Sequence, residues 1–544
     1  MGMHKLLKNK IAEAIKKLGL SEIEPEIEIP KNEAFGDLSS PVAMELTKKL
    51  KKPPREIAEK LVSLIDKTLF ENIEIAGAGF INFKFKKDFI FSELENLLNE
   101  GEKFLIQNIG KGKKIQIEFV SANPTGPLHL GHGRGAALGA ALSNILKEAG
   151  YNVSTEYYIN DAGKQVELLG LSVYIALQKF FGKELPMPED CYKGEYIHEI
   201  AKEIYESYGD SLKDKSFDEI GDFLIDFSYK KILNEIKKDL EDFGVTFDSF
   251  LSERKLYHTG EVQRAILKLK ELGFIYEKDG ALWFRSTEFG DDKDRVVVKS
   301  DGTYTYFASD IAYHKNKIER GFDELINIWG ADHHGYIPRV KAAVQALGMT
   351  ASQIKIILVQ MVNLLREGKP VQMSKRAGTF VTLREVMDEI GSDTTKFIFL
   401  TRKSDSHLEF DIEVAKMQSQ ENPVYYVQYA HARINSIFEK AGASPPRVPN
   451  GFCPELFNED ELKIIKKLLL YPMIFELSVQ MREPHRITFY LQEVAGMFHS
   501  YYHKYRVISE DDKLTQTRLS LCKAVMLVLK HGLRMLGVKA PEKM

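Results

Sequence analysis

Three cysteines in 544 residues, Cys191, Cys453 and Cys522, are far apart, odd in number and without a paired Cys-x-x-Cys spacing. That usage argues against a disulfide framework and a structural zinc site, and it fits a reducing compartment. No apolar run reaches the roughly 18 residues that a membrane span needs. The start, Met1-Gly2-Met3-His4-Lys5-Leu6-Leu7-Lys8, continues as an amphipathic helix instead of an apolar signal core. A cytoplasmic protein without a membrane partner is the expectation. An excess of one charge is lacking too: the formal net charge is −3 and the sequence pI is near 6.6. Any nucleic-acid partner must therefore be held by local basic patches and shape. No internal repeat or low-complexity tract stands out.

What is present is ordinary folded-protein composition, with 44% hydrophobic and 28% charged residues. At 62.0 kDa the chain should divide, since single cores rarely grow past roughly 250–300 residues. Three units are expected. Residues 1–112 read as an α+β unit, with a helical Leu6 to Leu18 and a strand-like Gly79 to Phe85. Residues 113–400 alternate strands and helices, as in a doubly wound parallel sheet, interrupted by a helical insertion at about 161–253. Within this part, Ile326 to Gly330 and Ile354 to Val359 read as buried strands. Residues 401–544 read as helices without strands, one of them opened by an Asn422 cap and Pro423 in its first turn.

The densest signal is Ser121-Ala122-Asn123-Pro124-Thr125-Gly126-Pro127-Leu128-His129-Leu130-Gly131-His132. Before it, Ile115, Ile117 and Phe119 alternate with polar residues as in a strand. After it, Leu138, Leu142, Ile145 and Ala149 share a helical face that Gly150 ends. A second alternation, Val153 to Ile159, completes a βαβ unit whose polar loop lies at the carboxyl end of the first strand, where open parallel sheets bind ligands. Gly131 and Gly133 would let phosphate approach the helix start, and His129 and His132 could donate to its oxygens. A second phosphate-type element is Gln372-Met373-Ser374-Lys375-Arg376-Ala377-Gly378, in which Lys375 could neutralise the terminal phosphates of ATP.

The pairing of these elements resembles the two signatures of class I aminoacyl-tRNA synthetases, and Ser-x-Asn before the first makes it most similar to arginyl-tRNA synthetases. Gln372 and Arg376 depart from the commoner Lys-Met-Ser-Lys-Ser form of the second signature. Asp301 to His314 is close to an arginyl-family signature, and Leu536 to Met544 matches that family's terminus. The resemblance spans the three units. It implies a Rossmann-like catalytic domain between an N-terminal tRNA-binding domain and a C-terminal anticodon-binding bundle. It also implies ligation of L-arginine to tRNA(Arg) with ATP and Mg²⁺, by a monomer.

Residue by residue, it implies catalysis by His129, His132 and Lys375. ATP would be bound by Gly131, His132, Met361, Val362, Met373, Ser374 and Lys375. Tyr306 and Asp310, four apart and on one face if the segment is helical from about Phe307, would read the guanidinium together with Glu118. Ser121, Asn123, His129 and Gln165 would hold the rest of the arginine. Asn82 and Phe85 would meet the outer corner of the tRNA, and Tyr426, Arg433, Tyr502 and Met544 its anticodon loop. No metal site is read. His333 and His334 are adjacent, so their side chains diverge, and no further ligand is spaced to join them.

Overall fold

The computed structural model describes residues 2–20, 23–371, 381–442 and 452–544. The helix Met3–Lys17 buries Met3, Leu7, Ile11, Ala14 and Ile15, one stripe at helical spacing. It packs against the helix Pro54–Leu64, which lies on a three-stranded antiparallel sheet of β1 (Leu38–Ser40), β2 (Phe70–Ala76) and β3 (Phe80–Phe85), in the order β1-β3-β2. Only the last of these was legible beforehand. β1 is three residues long and wholly buried, so it carries no alternation.

The second unit starts with β4 (Lys114–Glu118), β5 (Asn152–Ile159) and β6 (Ser249–Ser252). An antiparallel excursion, β7 (Ile275–Lys278), β8 (Ala281–Phe284) and β9 (Arg295–Val298), precedes β10 (Glu324–Gly330) and β11 (Ile354–Val359). β4, β5, β6, β10 and β11 form one parallel sheet in the order β11-β10-β4-β5-β6. The chain leaves β4 toward β5 on one side and later adds β10 on the other. The strand order reverses at β4, and the crevice beyond its carboxyl end is where such sheets take ligands. The helices Lys164–Phe180, Glu195–Tyr208 and Phe217–Asp242 separate β5 from β6. The expected helical insertion thus ends sooner than 253, because β6 is the edge strand of the sheet.

The helix Leu130–Glu148 lies against this sheet. A Cβ on Gly139 would fall 2.2 Å from the Phe119 ring, so only glycine permits that approach. A small sheet of β12 (Val362–Arg366), β13 (Lys369–Pro370) and β14 (Leu408–Asp411) follows. β14 corrects the expectation that strands end near 401. Its four residues run parallel to Val362–Leu365, a partnership that no four-residue pattern can announce.

The last unit packs the helices Pro423–Lys440, Glu459–Leu469, Tyr471–Met481, His485–Lys504 and Asp512–Met535. Asn422 caps the first by accepting from the amides of Val424 and Tyr425. Arg534 reaches both Glu148, the last residue of the 130–148 helix, and Glu102. No helix among the described residues is long and apolar enough to cross a membrane.

Candidate active site

β4 ends at Glu118, and the chain turns through Val120 (φ 66°) and Ser121 (φ 39°), a left-handed pair. This is unfavourable backbone for a β-branched residue, about 1–3 kcal/mol, and it lies beside the crevice. His129 then caps the 130–148 helix. Its Nδ1 accepts from the Gly131 amide at 3.1 Å, while Nδ1 of His132 accepts from the His129 amide at 3.3 Å. The rings stack with centroids 3.7 Å apart. Because each Nδ1 accepts, the neutral rings carry their protons on Nε2, the tautomer that lets both act as donors. Gly133 does something other than admit phosphate. It is buried, and a Cβ there would fall 2.7 Å from Leu383 Cδ1 and 3.0 Å from the Phe399 ring.

Thr382 forms an isolated antiparallel bridge with His129, and the Leu383 amide donates to the Leu128 carbonyl at 2.8 Å. The chain that follows residue 380 is therefore docked on the histidine turn. Met373, Ser374 and Lys375 lie outside the described residues.

The expected guanidinium acceptors come from separate elements. The helix Tyr306–Glu319 starts at Tyr306, which is 62% exposed, and its hydroxyl overlies Gly163. Asp310 follows one turn on, half-buried. Burial, reinforced by the carboxylates of Glu253 and Glu118, pushes its pKa up to about 8. Glu253 is the acid that the sequence reading missed. It is buried at the start of the helix Glu253–His258, accepts from the Ser309 hydroxyl at 2.7 Å, and its pKa is raised by burial. Its position just beyond β6 was the available signal. Glu118 is buried as well, accepting from Ser121 Oγ at 3.1 Å and from Lys317 Nζ at 2.6 Å. Asn123 Nδ2 donates to Gln165 Oε1 at 2.5 Å, so those two candidates meet at the outer side of the loop.

On the far side of the histidine helix, Met361 is 68% exposed and Val362 is buried at the start of β12. Arg134, one helical position past Gly133, is almost wholly buried. Its guanidinium donates to the carbonyls of Gln360, Ser406 and Lys403 at 2.9, 2.8 and 2.9 Å. Burial lowers its pKa to about 10, still far above neutrality. It fastens the strand edge at 360–362 to the helix of His132.

In the C-terminal unit Tyr426, Arg433 and Tyr502 are brought together. The Arg433 guanidinium lies 4.3 Å from the Tyr429 ring centroid and 4.9 Å from that of Tyr502, and it meets His499 Nδ1 at 3.1 Å. Tyr426 packs on His499, ring centroids 4.4 Å apart. Met544 is 54% exposed in a cleft shared with Tyr425 and Gln428. In the first unit Asn82 lies mid-strand in β3, mostly buried. Phe85 does not face outward. It is 1% exposed, packed between Phe70 and Phe89 with centroids 5.1 and 5.0 Å away, because the alternation of β3 turns it to the core. Among the described residues no group of three or more His, Cys, Asp or Glu could hold a metal, the His333–His334 pair included.

Residues 93–436 match the family model for the tRNA synthetases class I (R) catalytic domain, residues 5–85 the arginyl tRNA synthetase N terminal domain, and residues 427–544 the DALR anticodon binding domain. The fold and its histidine turn are those of a class I aminoacyl-tRNA synthetase. The arginine–tRNA ligase of Citrifermentans bemidjiense is 51% identical over 95% of this chain and 94% of its own. That of Aquifex aeolicus is 47% identical over the full length of both. The structure of Thermus thermophilus arginyl-tRNA synthetase shares the fold, with a TM-score of 0.81 at 22% identity over the whole of both chains. The chain belongs to the arginyl-tRNA synthetase family.

Proposed function

We propose that this chain ligates L-arginine to tRNA(Arg) in two steps, activating the amino acid with ATP and then passing it to the terminal adenosine of the tRNA. The observation that carries the reading is the acidic pocket. Asp310, Glu253 and Glu118 gather where a planar cation with several N–H donors would be matched, and burial, with their mutual repulsion added, raises Asp310 to about 8. A guanidinium relieves that repulsion. Tyr306 borders this pocket, while Ser121, Asn123, Gln165 and His129 serve the amino and carboxylate end.

In the first step an oxygen of the arginine carboxylate attacks the α-phosphorus of ATP in line. The bond to the bridging oxygen breaks, giving arginyl-adenylate and pyrophosphate, with no covalent enzyme intermediate. Nε2–H groups of His129 and His132 donate to the phosphate oxygens as negative charge grows there, with the Gly131 backbone close by. Lys375, supported by Met373 and Ser374, neutralises the leaving pyrophosphate. Mg²⁺ accompanying ATP would supply further neutralisation of phosphate charge. Met361 and Val362 offer backbone groups to the adenine.

In the second step the 2′-hydroxyl of the terminal adenosine attacks the arginyl carbonyl and AMP leaves. Tyr426, Arg433, Tyr502 and Met544 contact the anticodon loop, and Asn82 the outer corner of the tRNA. Activation requires tRNA(Arg), and the enzyme acts as a cytoplasmic monomer. Discrimination needs no editing site, because an analogue without the guanidinium leaves buried carboxylate unpaired. Pyrophosphate exchange across the twenty amino acids tests the reading. Exchange with arginine plus tRNA(Arg) and with no other amino acid supports it, and exchange with a different acid refutes it.

A further inference from the structure

A buried run of hydrogen bonds centred on Lys317 joins the Glu118 carboxylate to the backbone of Asp310. The lysine side chain is completely buried. Nζ donates to Glu118 Oε2 at 2.6 Å and to Asn327 Oδ1 at 2.9 Å, and it lies 4.1 Å from the Tyr313 ring centroid. The three ammonium protons thus have three acceptors. From Asn327 the run continues through Nδ2 to His314 Nε2 at 2.9 Å, and from His314 Nδ1 to the Asp310 carbonyl at 2.8 Å. Burial holds His314 down at about 3, so the ring is neutral and the sense of each bond is fixed. At the opposite end Ser121 Oγ donates to Glu118 Oε1, and the Tyr158 amide donates to Ser121 Oγ, both at 3.1 Å.

This connects the helix carrying Asp310 to the paired strands β4, carrying Glu118, and β10, carrying Asn327. The other charged group near Lys317 is Glu156 of β5, which is already engaged by Arg320 at 2.6 and 2.9 Å and by the Tyr313 hydroxyl at 2.8 Å. When Asp310, Glu253 and Glu118 are all ionised, Lys317 and Arg339 offset two of them. One negative charge remains, which is the charge of one guanidinium. A wholly buried ion pair gains little stability over an apolar pair of similar volume, so stability alone gives no reason for this lysine.

We propose that Lys317 is the positioning and specificity-setting residue of the arginine pocket: together with Ser121 it fixes the orientation of the Glu118 carboxylate, and it cancels one carboxylate so that the pocket takes a singly charged side chain. This rests on Glu118 and Asp310 being the guanidinium acceptors.

The test uses the full-length enzyme with L-arginine, ATP and tRNA(Arg), comparing Lys317→Met with wild type and with Asp310→Asn. Removing the ammonium should raise the arginine KM about tenfold or more while the ATP KM stays within about twofold. It should also move the pH at which the arginine KM reaches its plateau upward, because Lys317 is one of the cations holding Asp310 down. A packing defect alone would raise both KM values or lower kcat and leave that pH where it is, and either result overturns the proposal. Asp310→Asn separates the two claims. If it leaves the arginine KM unchanged, the pocket assignment itself fails; if it raises KM while Lys317→Met shifts no pH profile, only the role of Lys317 fails. Should Lys317→Met not fold, Lys317→Gln keeps a donor without the charge, and an unchanged pH profile there is equally decisive against the proposal.

Discussion

His129 and Thr382 face each other across a single antiparallel bridge, and the neighbouring Leu383 amide donates to the Leu128 carbonyl at 2.8 Å. Thr382 also caps its own helix in a reciprocal box with Glu385, so the docked end is rigid. Two segments some 250 positions apart are thereby joined at backbone level.

Gly133 sets how closely they approach. Gly133→Ala would push Leu383 and Phe399 away, an overpacking cost of about 1–3 kcal/mol. We expect a lowered melting temperature and a loss of arginine-dependent pyrophosphate exchange of about tenfold or more. Gly135→Ala, with open space around the new Cβ, is the control that should retain both.

Arginine binding should improve with pH. The free enzyme holds Asp310 near 8, so below that pH the carboxyl is mostly protonated and a guanidinium must displace the proton. The arginine KM should fall by up to about tenfold per unit as pH rises toward 8 and level off above it. Calorimetry in buffers of different ionisation enthalpy should register a proton released on binding. Asp310→Asn should give a higher KM and a flat profile.

Arg134 holds three carbonyls around the edge that would face adenine. Arg134→Met leaves those buried acceptors unpaired, at about 1–3 kcal/mol each in the worst case. The expected signature is an ATP KM raised about tenfold with the arginine KM little changed, read in steady-state exchange kinetics.

Arg433 is stacked between Tyr429 and Tyr502. Arg433→Ala should raise the KM for tRNA(Arg) about tenfold, lower the salt dependence of tRNA binding by roughly one unit of slope, and leave the ATP KM alone. A filter-binding titration across salt concentrations separates this from unfolding.

His132→Ala removes an Nε2–H donor and also the acceptor for the His129 amide. The exchange kcat should drop about 10²–10³-fold, the range for losing one donor to developing charge.

Several parts of this architecture were readable locally. The strand β4 at 114–118, the histidine turn, the helix starting one residue before the expected Phe307 and the Asn422 cap each depend on short-range pattern. What escaped depends on partners. β1, β2 and β14 are strands because distant segments pair with them, not because of their own periodicity. Phe85, a tRNA-contact candidate by resemblance, is turned inward by the register of β3. Glu253 carries no motif, and its role as a third pocket acid follows from where β6 joins the sheet.

The sequence by itself, through its motifs and the resemblance they carry, determined the family, and it nominated histidines and a lysine for phosphate and acids for a guanidinium. Which of those acids are charged, and which are already held, was decided by the tertiary structure. Lys317 and Glu118 are 199 positions apart in the chain yet 2.6 Å apart in the core. Burial raises Asp310, and Glu253 and Glu118 add to the shift because the helix Glu253–His258 and β4 bring them beside it. Charge states in a low-dielectric pocket depend on every neighbour brought within a few ångströms, and those neighbours are set by the packing of the sheet rather than by any local run of residues.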